Sequence, residues 1–165
     1  MKRVMLIILL IMQFSISNAD YELKNIDATE IEMLLKASGF KKISEIGGRI
    51  IYERGSNGKS EIVQIDYIYG KLGIISTAAS DYVEKSNDKR SKWLNKQLIS
   101  NIEMIALCVN DNDIKKSIRA QTKKLIEESG KMSLGSVRIN EKDHSINLNW
   151  SDFTRNITLE ARYTP

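Results

Sequence analysis

The chain has one cysteine, one proline and one histidine in 165 residues. A lone Cys108 excludes an internal disulfide, so stability must come from packing. Cys108 and His144 are also too few for the usual nitrogen and sulfur ligand set of zinc, and a Cys-His nucleophilic pair would have to use both. The proline stands at the last position, and no Ser/Gly/Pro-rich stretch, repeat or low-complexity tract marks a linker. One domain is expected.

Long apolar runs are absent except for Val4 to Met12, which follows Lys2 and Arg3 and precedes Ser15, Ser17 and Ala19. A helix over such a run reaches only about 14 Å, where a membrane span needs about 30 Å. Charged start, short apolar stretch and small residues form the layout of a secretory signal. Ser17-Asn18-Ala19 predicts cleavage before Asp20, giving a 1–19 leader and a 20–165 mature domain with no stable membrane anchor. The expected location is the periplasm or the medium, and the Lys/Ile/Asn-rich composition suggests a bacterial source.

Concentrated charge of one sign is lacking too. Loss of Lys2 and Arg3 with the leader lowers the net charge from +4 to +2, weak for a dedicated nucleic-acid binder. The remaining 146 residues can bury roughly two-thirds of their unfolded surface.

The patterns that are present predict an α+β fold. Asp27-Ala28-Thr29-Glu30 resembles a capping box, with Ile31, Leu34 and Leu35 following and Gly39 as a stop, so a helix is predicted over 28–38. Runs 49–54 and 61–69 flank Gly55-Ser56-Asn57-Gly58 and predict a β-hairpin, with a third strand over 72–78. Leu94, Leu98, Ile102, Ile105 and Val109 define one face of a long helix. A second helix begins after Asp111-Asn112-Asp113, carries Ile114, Ile118, Leu125 and Ile126, and stops at Gly130. After Met132 the period becomes 2, predicting a three-stranded meander with turns at 141–144 and 151–152; Phe153, Ile157, Leu159, Ala161 and Tyr163 are expected inside. The expected architecture is an antiparallel sheet, made of the N-terminal hairpin and the C-terminal meander, packed against a helical hairpin and the short first helix.

Motifs with chemistry are scarce. Gly58-Lys59-Ser60 ends like a P-loop, but Glu53 replaces its first glycine and a strand follows it, so it reads as a turn. Asp111-Asn112-Asp113 opens like a calcium loop, but Lys115, Lys116 and Thr122 exclude the EF-hand pattern and leave a cap. The helical wheel places Cys108 on the apolar face, predicting a buried, inert thiol. Glu141, Asp143 and His144 cluster at a predicted turn and are the first place to look for a metal or catalytic centre. Glu61, Asp66, Asp81 and Glu84 can form an acid/base pair only if folding joins them.

Two surfaces suit recognition. Lys115, Lys116, Arg119, Lys123 and Lys124 make one side of the second helix basic, fit for an acidic protein or anionic polymer. The predicted wet face of the meander carries Arg138, Asn147, Asn149, Asn156 and Thr158 among its short polar residues. With no catalytic constellation, metal site or cofactor site read, the expected function is an exported protein-binding module. It would be an inhibitor or immunity-type protein that sterically occludes an envelope-acting enzyme or toxin. Arg119, Lys123, Asn147 and Asn156 are the expected contacts. Alternatives are an accessory subunit of an envelope or secretion assembly, and a carboxylate-dependent envelope hydrolase.

Overall fold

Local capping starts each helix of the computed structural model, which describes residues 22–23, 25–129, 134–141 and 144–162. The Asp27 carboxylate accepts from the N–H groups of Thr29 and Glu30 at 2.9 and 3.1 Å, opening α1 (Ala28–Ala37). Ser86 caps α2 (Asn87–Leu107) through the N–H of Lys89, and Asp111 caps α3 (Asn112–Ser129) through Asp113 and Ile114. No helix among the described residues is long and apolar enough to cross a membrane. The leader at 1–19, Gly130, Asp143 and Tyr163 lie outside the described residues.

Seven strands form one antiparallel sheet among the described residues: β1 (Lys41–Ile46), β2 (Arg49–Ser56), β3 (Lys59–Ile68), β4 (Lys71–Asp81), β5 (Gly135–Asn140), β6 (His144–Trp150) and β7 (Thr154–Ala161). Their order is β1-β2-β3-β4-β7-β6-β5. The protein is therefore α+β, and its C-terminal meander follows the predicted path. The N-terminal half differs, because it is a four-stranded meander rather than a hairpin with one added strand. The extra strand, β1, is an edge with a bulge between Lys42 and Ser44, joined to β2 through Gly47 and Gly48 at φ 60° and 83°. Asn57 and Gly58 turn β2 into β3 with φ 53° and 81°, as an Asn-Gly hairpin requires.

The described helices pack against the side of the sheet that carries its apolar residues. Ile50, Tyr52, Val63, Ile65, Ile75 and Leu148 point inward from their strands and share one core with Leu98, Ile102 and Ile105 of α2 and Ile118 and Leu125 of α3. A fully buried bond ties α2 to the sheet in this core, where the Asn101 amide donates to the Thr77 hydroxyl at 3.0 Å. The chain before α1 is tied to the same layer: Leu23 N–H donates to Leu72 O, and Ile26 bridges Val109.

Two inward positions correct the sequence expectation. Arg155, at an inward register, is only 5 % exposed, whereas Phe153 lies 42 % exposed at the turn before it. The alternation rule gives a residue's side, and burial then depends on what that side meets. Arg155 is accepted inside because its guanidinium donates to the Ser91 hydroxyl and to the carbonyls of Ser151 and Thr154. Ser145 is the opposite case. It faces the open side but is fully buried, since Arg138 lies over it and donates to its hydroxyl at 2.9 Å.

Candidate functional site

The sheet face turned away from the helices carries no helix or loop of the described residues. Strand register sets three rows across it: Ile51-Gln64-Ser76-Thr158-Asn147-Arg138, then Glu53-Ile62-Ala78-Asn156-Asn149-Ser136, then Arg49-Asp66-Ile74-Glu160-Ser145-Asn140. Isoleucines cluster on the β2–β4 side and short polar groups on the β5–β7 side. Hydrogen bonds hold the polar side in place. Asn156 donates to Ser76 at 3.0 Å and accepts from Thr158 at 3.1 Å, while Ser76 and Thr158 lie 3.2 Å apart. Asn149 stands directly across from Asn156 and is exposed.

At one corner of this face a groove of about 630 Å³ runs between the β1–β2 turn and β4. Ile46, Ile51, Ile68 and Ile74 supply aliphatic walls, and Arg49 pairs bidentately with Asp66 at 2.9 and 3.1 Å. That pair cancels its own charge, so the groove is aliphatic in character.

The four expected contact residues separate into two groups. Asn147 and Asn156 share the open face, on adjacent strands. Arg119 and Lys123 lie on the opposite, helical side, where they line a cleft of about 280 Å³ between α2 and α3 with Ile99, Ile102 and Glu103. Arg119 pairs with Glu103 at 2.6 Å, so part of the basic side is already answered within the protein. One flat partner surface cannot touch both groups.

The carboxylates are spread along the sheet. Asp66 pairs with Arg49, Glu61 takes a bidentate bond from Arg54 at 3.0 and 2.8 Å, and Asp81 pairs with Lys59 at 2.9 Å. Glu84 accepts from the N–H of Ser86, and Glu141 accepts from Gln121. His144, expected in a turn, is instead the first residue of β6 and points inward beside Ile114, Ile118 and Leu159. Among the described residues no group of three His, Cys, Asp or Glu side chains could hold a metal ion.

Cys108 is fully buried at the end of α2, as the helical wheel predicts. Burial, with Glu30 and Asp27 nearby, pushes its thiol up to about 11. Native protein at pH 8 is expected to react with a disulfide-exchange reagent at least about 100-fold more slowly than unfolded protein, because the thiolate is both scarce and covered. Equal rates measured by absorbance in buffer and in denaturant would contradict this burial.

One further feature escaped the sequence reading. The most densely charged part of the interior lies at the end of the sheet that holds the β2–β3 turn. There the fully covered Asp81 accepts from the N–H groups of Val83 and Glu84 at 3.1 and 3.0 Å and forms an ion pair with Lys59, whose ammonium sits 4.9 Å over the Trp93 ring. The Gln97 amide, oriented to satisfy both ends, donates to Glu61 and accepts from the Trp93 indole, each at 3.2 Å. Arg90, 6 % exposed, donates to Asn87 and to the Glu84 carbonyl. A strand-end Asp followed within the loop by two apolar residues, Tyr82 and Val83, was the available signal for this site.

No protein-family model matches the chain, and no curated protein or solved structure matches it significantly.

Proposed function

We propose that the mature chain, 20–165, is an exported protein-binding module of inhibitor or immunity type, which sterically occludes an enzyme or toxin acting in the cell envelope. The observation that carries this reading is the open sheet face. Its polar half presents Asn147, Asn149 and Asn156, and its neighbouring groups are immobilised by the Ser76–Asn156–Thr158 bonds. A face whose side chains are ordered before contact loses less conformational entropy on binding. Short amides and hydroxyls are adaptable hydrogen-bonding groups of the kind recognition surfaces use. The open face is favoured over the Arg119–Lys123 side because Arg119 is engaged by Glu103.

The test uses the immobilised mature chain and extract of its own source. The expected result is one soluble enzyme retained at a 1:1 ratio and inhibited by added chain. Asn147→Arg together with Asn156→Arg is expected to weaken that complex at least about tenfold, while Arg119→Glu with Lys123→Glu leaves it within about twofold. A complex weakened only by the helix-side pair would move the interface to α3, and an enzyme bound but fully active would end the occlusion mechanism.

A further inference from the structure

The buried charges around Asp81 converge on an exposed apolar tip. Tyr82 is 64 % exposed and Val83 52 %, although both follow directly on the fully covered Asp81. Tyr82 stacks on Phe153 with ring centroids 5.8 Å apart and planes 18° from parallel. The Arg90 guanidinium lies 4.5 Å over the Phe153 ring.

This tip is held from every side. Asp81 N–H donates to the Phe153 carbonyl at 2.9 Å, and Tyr82 N–H donates to the Gly58 carbonyl at 3.0 Å. Val83 lies against Gly58, where a Cβ would come within 2.6 Å of it. Asp81 fixes the backbone N–H groups of Val83 and Glu84, and Arg90 fixes the Glu84 carbonyl. Buried ion pairs add little to stability compared with an apolar core, so their concentration beneath one exposed loop calls for another account. Rigid aromatic side chains beside an arginine are the residue types that dominate binding energy at interfaces.

Charge sets the chemistry of the occupant. Between Glu84 and Lys96 the chain carries five cations against two carboxylates. Lys85 and Lys89 are exposed beside the tip, and Lys92 and Lys96 continue the exposed stripe along α2 at helical spacing. Asp88 and Asp152 are the exposed acids nearby, leaving the rim cationic. The tip also adjoins the open sheet face: Phe153 directly precedes Thr154, which pairs with Ser80 at the end of that face.

We propose that the Tyr82–Val83–Phe153 tip is the anchor of the protein-binding surface, and that it inserts into an apolar pocket ringed by carboxylates on a partner protein. This rests on the protein-binding reading above and names the part of the surface that holds the partner. The open face supplies adaptable polar contacts, and the tip supplies the rigid apolar ones. Lysines at the rim steer the approach and make its rate depend on salt.

Site-specific photo-crosslinking in cells expressing the full chain tests both ideas separately. A benzophenone amino acid is placed at Val83, at Asn149 on the open face, or at exposed Lys116 as a control. The expected result is one protein adduct from Val83 and Asn149 and none from Lys116. That protein, purified and titrated, is expected to bind Tyr82→Ala and Phe153→Ala at least about tenfold more weakly. Lys85→Glu with Lys89→Glu should weaken binding and flatten its salt dependence. An adduct from Asn149 alone would overturn the tip as anchor and leave the open-face reading standing, whereas no adduct from either would overturn both. A phospholipid adduct at Val83 would replace the protein partner with a membrane surface. Unchanged affinity after lysine reversal would remove the acidic rim from the proposal.

Discussion

Asp81→Ala is expected to lower the unfolding free energy by about 2–4 kcal/mol, among the largest effects of any single change at the tip. Breaking a buried ion pair ordinarily costs about 3–5 kcal/mol, because the surviving charge is stranded. Here Lys59 keeps a third of its side chain exposed and can turn toward water, which discounts that figure. The uncapped N–H groups of Val83 and Glu84 act the other way, each losing a charge-assisted acceptor. Urea unfolding at neutral pH checks the magnitude. Burial by itself would raise the Asp81 pKa, but the Glu84 N–H, Lys59 and the Val83 N–H outweigh it and hold the group below its ordinary 3.8. A depressed folded pKa means stability that is fully present above the unfolded value and lost as pH falls through the folded one. The gap between wild type and Asp81→Asn should therefore be widest at neutral pH and shrink below about pH 3.8. A gap that stays constant down to pH 2 would mean the carboxylate's charge contributes nothing.

Trp150→Ala carries the second large effect, a loss of about 3–5 kcal/mol for an indole that is 5 % exposed. Trp150 of β6 lies opposite Gly135 of β5, and a Cβ on that glycine would stand 2.4 to 3.0 Å from three atoms of the indole ring. Gly135→Ala alone is expected to cost about 1–3 kcal/mol as overpacking. Combined with Trp150→Ala it should cost almost nothing further, because the space it needs has been vacated. A double-mutant cycle by chemical denaturation measures that coupling, and additive losses would show that the contact between strand and ring is not what constrains Gly135. Amide exchange in β5 should rise more than in β3, since β5 is an edge strand whose one strand partner among the described residues is β6.

The strand that escaped the sequence reading shows where pattern runs out. In Lys41–Ile46 nearly every residue is exposed, so no alternation develops, and only the Gly47-Gly48 turn signals a hairpin. Edge strands are shielded by charge and bulges, the same properties that erase a period-2 pattern. The candidate site behaved similarly. Strand alternation, a local rule, assigns Asn147 and Asn156 to a common wet face. Their distance from Arg119 and Lys123 was not legible, since helix periodicity tells which side of a helix is apolar without telling which face of a sheet it covers.

Local rules written in the sequence settled the helix caps at Asp27 and Asp111, the Asn57-Gly58 turn, the buried face of α2 with Cys108 on it, and the period-2 meander of β5 to β7. These depend on neighbours within a few residues, where backbone geometry leaves few choices. Tertiary structure alone decided that β7 lies against β4, joining two meanders into one sheet. It also decided that Asp81, Lys59, Arg90 and Phe153 meet around one loop. Those partners lie up to about ninety residues apart in the chain. Contacts at such separations form only when a whole core closes, because loop entropy opposes them until many apolar groups are buried together.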